Sequence, residues 1–269
     1  MQKVEINTCN ITSFRQDGVC LLNYIENVYD LDDIETDALI GYGSNILINS
    51  KSKLYKLSKN FSYVKIHDNL VKIGGSTGVN FINKILIKEN LSGLEFLGGI
   101  PASIGGCVRM NAGAFEKSIK DIFELAICFS SDKGIHKIDK DEANFGYRSS
   151  NFKGKIILEV ELRLKKDNLN YIEKKIRENI KIRISKAPII RTFGSVFKNP
   201  QNQIAGKLIE ECGLKGKTVN DAMISKSHAN YIINLNKATA SDALKLIDII
   251  KNSVYKKFNI ELQEEVIIL

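Results

Sequence analysis

Between Gly93 and Gly113, six of 21 positions are glycine (93, 98, 99, 105, 106 and 113), and only Glu95 and Arg109 are charged. Glycine loses more backbone freedom on folding than any other residue, so such density requires a close approach that a Cβ would block. Two partners meet that requirement. One is a second glycine-rich turn of the same chain. The other is a long ligand, its diphosphate lying along bare N–H groups and its ring system against Ile100 and its neighbours.

The rest of the 269-residue chain, 43% hydrophobic and 26% charged, has the balance of a globular protein with one large or two ordinary cores. Disorder, collagen and coiled coil are excluded on that balance. Apolar runs such as 156–158 and 266–269 fall far short of the roughly 20 residues a membrane helix needs, so no membrane span is expected. Met1-Gln2-Lys3-Val4-Glu5 leads into Asn7-Thr8 without an apolar signal core or an Arg-rich transit segment, and cytoplasmic residence is the expectation. Cys9, Cys20, Cys107, Cys128 and Cys212 are scattered and never in C-x-x-C spacing, which predicts reduced thiols and no zinc site. Residues 1–50 hold 2 basic and 8 acidic side chains, whereas the remainder holds 37 and 23. That asymmetry points to an acidic ligand for the later region, either nucleic acid or a phosphorylated small molecule.

The pattern predicts α+β architecture in two parts. Strand is expected at 38–40 and 46–48, and a hairpin at 63–66 and 70–73 turns at Asp68-Asn69. A helix is expected over 80–90, with Phe81, Ile82, Ile85 and Leu86 on one face. Strands follow at 122–129 and 156–164. An amphipathic helix over 169–184, with Ile172, Ile176, Ile180 and Ile184 on one side and Lys and Arg on the other, bridges to a second domain near residue 165. Beyond it come a turn at Gly194-Ser195, a helix over 203–212, a strand over 231–234, a helix over 241–258 capped by Ser241, and a last strand over 264–269.

Several motifs carry both a chemical and a plain reading. Gly41-Tyr42-Gly43-Ser44-Asn45 can form a phosphate nest or merely connect two strands. It is not a dinucleotide fingerprint, because the third glycine would fall on Ile46. Gly74-Gly75-Ser76-Thr77-Gly78 matches a hydrolase nucleophile elbow, but half of a hairpin precedes it rather than a parallel strand, so a hydrolase is disfavoured. Arg148, in Phe145-Gly146-Tyr147-Arg148-Ser149-Ser150, can hold a carboxylate. Ser195, in Phe193-Gly194-Ser195-Val196-Phe197-Lys198-Asn199-Pro200, can present a hydroxyl in a narrow site. His228 reads as a structural or substrate-contact histidine. The run Asp30, Asp32, Asp33, Glu35 and Asp37 reads as a solvated acidic loop, and no metal site is expected. The basic face over 169–184 is a candidate nucleic-acid patch, though no recognised nucleic-acid-binding motif accompanies it.

Taken together and in order, these segments resemble the UDP-N-acetylenolpyruvoylglucosamine reductase family. The carriers are Gly41-Tyr42-Gly43-Ser44-Asn45; residues 93–115, ending in Met110-Asn111-Ala112-Gly113-Ala114; Tyr147-Arg148-Ser149-Ser150 with Phe152-Lys153; Gly194-Ser195-Val196-Phe197-Lys198-Asn199-Pro200; His228-Ala229-Asn230; and Glu261-Leu262-Gln263-Glu264-Glu265-Val266. Thr12-Ser13-Phe14-Arg15 matches part of the family's opening. The 46 residues between Arg148 and Ser195 resemble the compact subclass without an extra tyrosine-bearing loop.

The resemblance implies a two-part FAD-binding region of the vanillyl-alcohol-oxidase type over 1–165, with subdomains near 1–50 and 51–165. A smaller α+β substrate domain would follow over 166–269. It implies non-covalent FAD, NADPH as reductant, a UDP-sugar enolpyruvate substrate, and a monomer with neither nucleic acid nor membrane as partner. Cofactor contacts carry over to Gly41, Tyr42, Gly43, Ser44, Asn45, Ile46, Gly99, Ile100, Pro101, Ser103, Gly105, Gly106, Asn111 and Gly113. Substrate contacts carry over to Tyr147, Lys198, Asn199, Lys215, His228 and Asn230, and catalytic roles to Arg148, Ser195 and Glu265. Another FAD-dependent oxidoreductase of the same fold is the runner-up, and a non-catalytic nucleic-acid-binding protein a distant third.

Overall fold

The computed structural model describes residues 1–31, 34–49, 53–188 and 191–269. It divides into two compact units, the first formed by Met1–Val4, Leu22–Tyr42 and Lys53–Ile182, the second by Glu5–Leu21, Gly43–Ser52 and Arg183–Leu269. The last division between the units falls at Ile182/Arg183, inside the Leu169–Lys186 helix, and not near 165. Ile172 is buried, and the Asn179 side chain donates to the Glu95 carbonyl at 2.9 Å, which fastens most of this helix to the first unit. Ile184, expected on the same apolar stripe, is instead exposed. Residues 1–50 do not form a subdomain of their own, because their segments are shared between the two units.

The first unit is built on a five-stranded antiparallel sheet in the order Gly134–Asp139, Phe123–Ser130, Ile156–Arg163, Leu70–Gly74, Val64–His67. The predicted hairpin closes at Asp68, whose φ of 54° is the left-handed value that a two-residue connection needs. Both faces of the sheet are covered. Val160 and Leu162 lie in the large core with Val79, Ile82, Leu86, Ile104 and Val108, whereas Ile156 and Leu158 lie in a second cluster with Ile25, Leu31, Tyr55 and Leu57. A register shift at Ile127/Cys128 makes this possible, since an irregularity there breaks the strict alternation of faces along the strand. The Val79–Lys88 and Ile104–Arg109 helices contribute the residues that close the larger core.

In the second unit, Thr192–Ser195, Tyr231–Asn234, Ala222–Ile224 and Thr218–Val219 form an antiparallel sheet in that order. Its core joins the Ala205–Glu211 and Ala240–Phe258 helices to Phe14 and Leu47, with the Phe14 and Phe193 rings 4.9 Å apart. The long helix is capped by Thr239, which exchanges bonds with Asp242 in a capping box, and not by Ser241. The C-terminal strand is only Ile267–Ile268 and runs parallel to Ile46–Leu47. The strand expected at 38–40 is absent. Thr36–Ala38 is a 3-10 turn, and only Leu39 pairs, with Tyr55.

Candidate active site

In the first unit, a cavity of about 290 Å3 is lined by Tyr42, Gly78, Val79, Asn80, Phe81, Lys84, Ile100, Pro101 and Ala102. Its walls are mainly apolar and aromatic, with Lys84 and Asn80 as polar groups, the mixture that holds the flat ring or sugar of a nucleotide. Tyr42 is pressed close to Gly78, where a Cβ would lie 2.6 Å from the phenol oxygen. The Lys56 ammonium sits 5.7 Å from the Tyr42 ring centroid, and burial lowers its pKa. Gly41 is equally constrained, since its Cβ would come within 2.6 Å of Ser103 Oγ.

The glycine-rich stretch is largely packed on the protein itself. Gly105 N–H donates to the Gly75 carbonyl and Ile104 N–H to the Thr77 carbonyl, while a Cβ on Gly113 would lie 2.7 Å from the Lys117 carbonyl oxygen. Ser103 is 4% exposed and caps the Ile104–Arg109 helix by accepting from Gly106 N–H. Asn111 is 5% exposed; its amide donates to the Gly146 carbonyl at 2.8 Å and accepts from Lys120 N–H at 3.1 Å. Ser103 and Asn111 therefore help to build the loop through these side-chain bonds. Gly99 has φ +79°, a left-handed conformation. Cys107 lies in the core, where burial pushes its thiol up to about 12 and removes it as a nucleophile.

Arg148 stands on a tight turn in which Gly146 and Ser149 exchange backbone bonds, and its own φ is +51°. Asn111 holds one side of that turn through Gly146, and Ser150 Oγ holds the other by donating to the Arg109 carbonyl at 2.6 Å. The Arg148 guanidinium lies 5.4 Å from the Tyr147 ring centroid, and Tyr147 is exposed. The elbow-like Ser76 donates to the Ser58 carbonyl, so it has the place of a turn residue. Of the acidic run, Asp32 and Asp33 lie outside the described residues. Asp30 accepts from the N-terminal ammonium at 2.7 Å and Asp37 pairs with Arg109 at 3.4 Å.

The second unit carries Gly43 to Ile46 of the motif begun by Gly41 and Tyr42. Gly43 has φ +65°, and a Cβ there would lie 2.0 Å from the Ile11 carbonyl oxygen. Ser195 ends the Thr192–Ser195 strand and is a strand residue, not the expected turn residue. Its successor Val196 accepts from Glu265 N–H at 2.8 Å, so the two predicted catalytic residues hang from one stretch of backbone. Asn230 fixes the same stretch reciprocally, accepting from Phe197 N–H at 3.0 Å and donating to the Phe197 carbonyl at 2.8 Å. At 4% exposed with both amide atoms bonded, Asn230 braces this stretch.

His228 is half-buried. Its Nδ1 accepts from Asn230 N–H, so the neutral ring carries its hydrogen on Nε2 as a donor. Burial first, then the Lys215 charge, lowers its pKa, against a smaller opposing effect of Glu210. Lys215 pairs with Glu210 at 2.6 Å. Asn199 Oδ1 accepts from Ala205 N–H at the start of the Ala205–Glu211 helix. Backbone N–H of Lys198 donates to the Gln263 carbonyl, which joins this segment to the one bearing Glu265.

Sequence reasoning passed over three residues that hold this arrangement. Ser13 Oγ donates to the Thr192 carbonyl at 2.6 Å, and Ser13 N–H donates to the Gly43 carbonyl. Gln16 exchanges two bonds with Ile48, and Asn234 donates to the Phe14 and Arg15 carbonyls. Thr12-Ser13-Phe14-Arg15 was the available signal. Its Ser13 serves backbone groups far away in sequence, which spacing alone does not show.

The fold and these residues define a two-unit α+β protein that overlays a solved UDP-N-acetylenolpyruvylglucosamine reductase from Thermus caldophilus with a TM-score of 0.85. That likeness covers 100% of this chain and 99% of that one at 32% identity. Residues 183–269 match the family described as UDP-N-acetylenolpyruvoylglucosamine reductase, C-terminal domain, beginning where the last segment of the second unit begins. The reductase of Borrelia garinii subsp. bavariensis is 39% identical over 97% of this chain and 91% of its own length. That of Clostridioides difficile is 38% identical over 86% and 78%. The chain belongs to the UDP-N-acetylenolpyruvoylglucosamine reductase family.

Proposed function

We propose that this chain reduces the enolpyruvyl ether of UDP-N-acetylglucosamine to UDP-N-acetylmuramate in peptidoglycan precursor synthesis, using non-covalent FAD and NADPH. The observation that carries the reading is the joint suspension of Ser195 and Glu265 from Val196, within a chain that matches the family along nearly its whole length. The first-unit cavity supports the cofactor: an apolar aromatic trough beside close-packed glycines suits part of an adenine dinucleotide. Tyr42, Ile100 and Pro101 would hold it there, with Gly41 and Gly99 keeping the backbone close.

When bound and reduced by NADPH, FAD would be the source of the hydride that the substrate's terminal enol carbon takes up. The chain's own residues manage the charge and the proton. Arg148 pairs with the substrate carboxylate and meets the negative charge that grows on it and on the neighbouring carbon. Glu265 acts on the same charge as an acid, a role that requires it to hold a proton. Ser195 gives its hydroxyl proton to the neighbouring carbon, so that one hydride and one proton add across the double bond. Its hydroxyl is then restored from water or through Lys198. Lys198, Lys215 and the Nε2–H of His228 suit the diphosphate and uracil oxygens, with Tyr147 and Asn199 completing the substrate contacts.

Among the described residues no helix is long and apolar enough to cross a membrane. Cytoplasmic residence and action as a monomer belong to the same proposal, and no observation favours another flavin oxidoreductase. Stopped-flow absorbance of Ser195→Ala tests the assignment. NADPH should still bleach the flavin at a near-normal rate, while substrate-dependent return of colour slows by about three orders of magnitude. Equal slowing of both half-reactions would remove Ser195 from the proton-donor role.

A further inference from the structure

Asn45 meets the C-terminal segment at two points on either side of Val266. Its side-chain amide donates to the Glu265 carbonyl at 2.9 Å, and its own carbonyl accepts from Ile267 N–H at 3.0 Å. From there the ladder continues, with Leu269 N–H on the Leu47 carbonyl and Asn49 N–H on the Leu269 carbonyl. On the other side, Glu265 N–H is held by the Val196 carbonyl. Both peptide groups flanking the Glu265 Cα are therefore fixed, one from the Ser195 strand and one from Asn45. Pinning the main chain on both sides fixes the Glu265 Cα and the direction of its Cα–Cβ bond, the origin from which the carboxyl group is placed, and reacting groups need placement to within a fraction of an ångström.

We propose that Asn45 is a positioning residue that sets the catalytic Glu265 through its main chain, rather than a residue whose side chain binds the cofactor. This rests on the reading of Glu265 given above. No other bond of the Glu265 carbonyl is needed for the argument, and the shape of Asn45 explains the choice of residue. An aspartate of the same size has no amide hydrogen to offer and would set a carboxylate against a carbonyl oxygen. A serine is too short to span the same gap. The amide also makes the loop that bears Gly43 and Ser44 continuous with the acid, so a change at one is felt at the other.

The test uses Asn45→Asp and Asn45→Ala beside Glu265→Gln, with two readouts. The first is amide hydrogen exchange of the protein without cofactor. Loss of the clamp should speed exchange at Ile267 and Leu269 about tenfold, with Val196 and Phe197 unchanged. The second is the pair of half-reactions of the FAD-loaded enzyme. Flavin reduction by NADPH should stay within about twofold, while reoxidation by substrate slows at least about tenfold. Unchanged exchange together with weakened FAD binding and equally slowed half-reactions would overturn the proposal and make Asn45 a cofactor residue. Unchanged exchange and unchanged half-reactions would overturn it outright. If Glu265→Gln reoxidises at the normal rate, the fault lies in the role assigned to Glu265, and faster exchange at Ile267 in the Asn45 variants would still report the clamp itself.

Discussion

Gly75 and Gly105 meet backbone to backbone. Gly105 N–H donates to the Gly75 carbonyl at 3.0 Å, and a Cβ on Gly105 would stand 2.9 Å from that same oxygen. Gly75 is itself closed in from behind, since a Cβ there would lie 2.0 Å from the Ile157 carbonyl oxygen. With Val79 N–H on the Ala102 carbonyl and Ile104 N–H on the Thr77 carbonyl, the segments around 75–79 and 102–105 form one zipped structure. Its outer side presents Gly78, Ile100 and Pro101 to the cavity.

Gly75→Ala should therefore destabilise the first unit by about 1–3 kcal/mol, because the obstacle is backbone and cannot rotate away. Urea unfolding should show a lower midpoint with an unchanged slope. A midpoint equal to wild type would mean that the strand at Ile157 yields easily.

Asn111→Ala removes the bonds to the Gly146 carbonyl and Lys120 N–H together. Buried groups left without partners cost about 1–3 kcal/mol, and the turn bearing Arg148 loses its tie through Gly146. Steady-state kinetics should show a lower kcat/KM for the UDP-sugar, while equilibrium titration shows FAD affinity little changed. A large loss of FAD affinity with normal substrate kinetics would return Asn111 to the cofactor.

Asn230→Ala should behave as a structural lesion, lowering stability by about 1–3 kcal/mol through the stranded Phe197 groups. Because Val196 and Phe197 carry both Ser195 and Glu265, kcat should fall more than KM rises. A rise in KM alone, at wild-type thermal stability, would restore Asn230 as a substrate contact.

His228 gives a pH dependence with a definite sign. Its pKa in the folded chain lies below the ordinary 6.5, so between those two values the unfolded chain binds more protons. Stability from this group is complete above pH 6.5 and declines as pH falls through that window, becoming level below the folded pKa. Comparing urea unfolding of wild type and His228→Gln from pH 7.5 to 5.5 should show the wild type losing its margin toward the acid end. Parallel curves would show that the ring titrates alike in both states.

Elements set by local pattern were legible in the sequence. The helix expected over 80–90 is Val79–Lys88, and the hairpin turns at Asp68 as predicted. The family was legible too, from its motifs taken in order. What escaped reading were side chains employed across long separations: Asn45 to Glu265, Asn111 to Gly146, Asn230 to Phe197 and Asn234 to Phe14. An asparagine that holds a distant carbonyl and one that holds a ligand look alike in a one-dimensional string. The glycines are ambiguous in a similar way, since close approach of backbone to backbone leaves the same trace in the sequence as close approach to a diphosphate. The cap at Thr239 was readable, because Thr239 and Asp242 stand at capping-box spacing, but Ser241 in the first turn drew the assignment away.

The central claim is that this chain passes electrons through a bound flavin to an enolpyruvyl UDP-sugar. An anaerobic visible spectrum of the purified protein, reconstituted with FAD, tests it most directly. The flavin bands should bleach on adding one equivalent of NADPH and return on adding the enolpyruvyl substrate. A protein that takes up no FAD, or whose bleached flavin stays bleached in the presence of that substrate, would contradict the account.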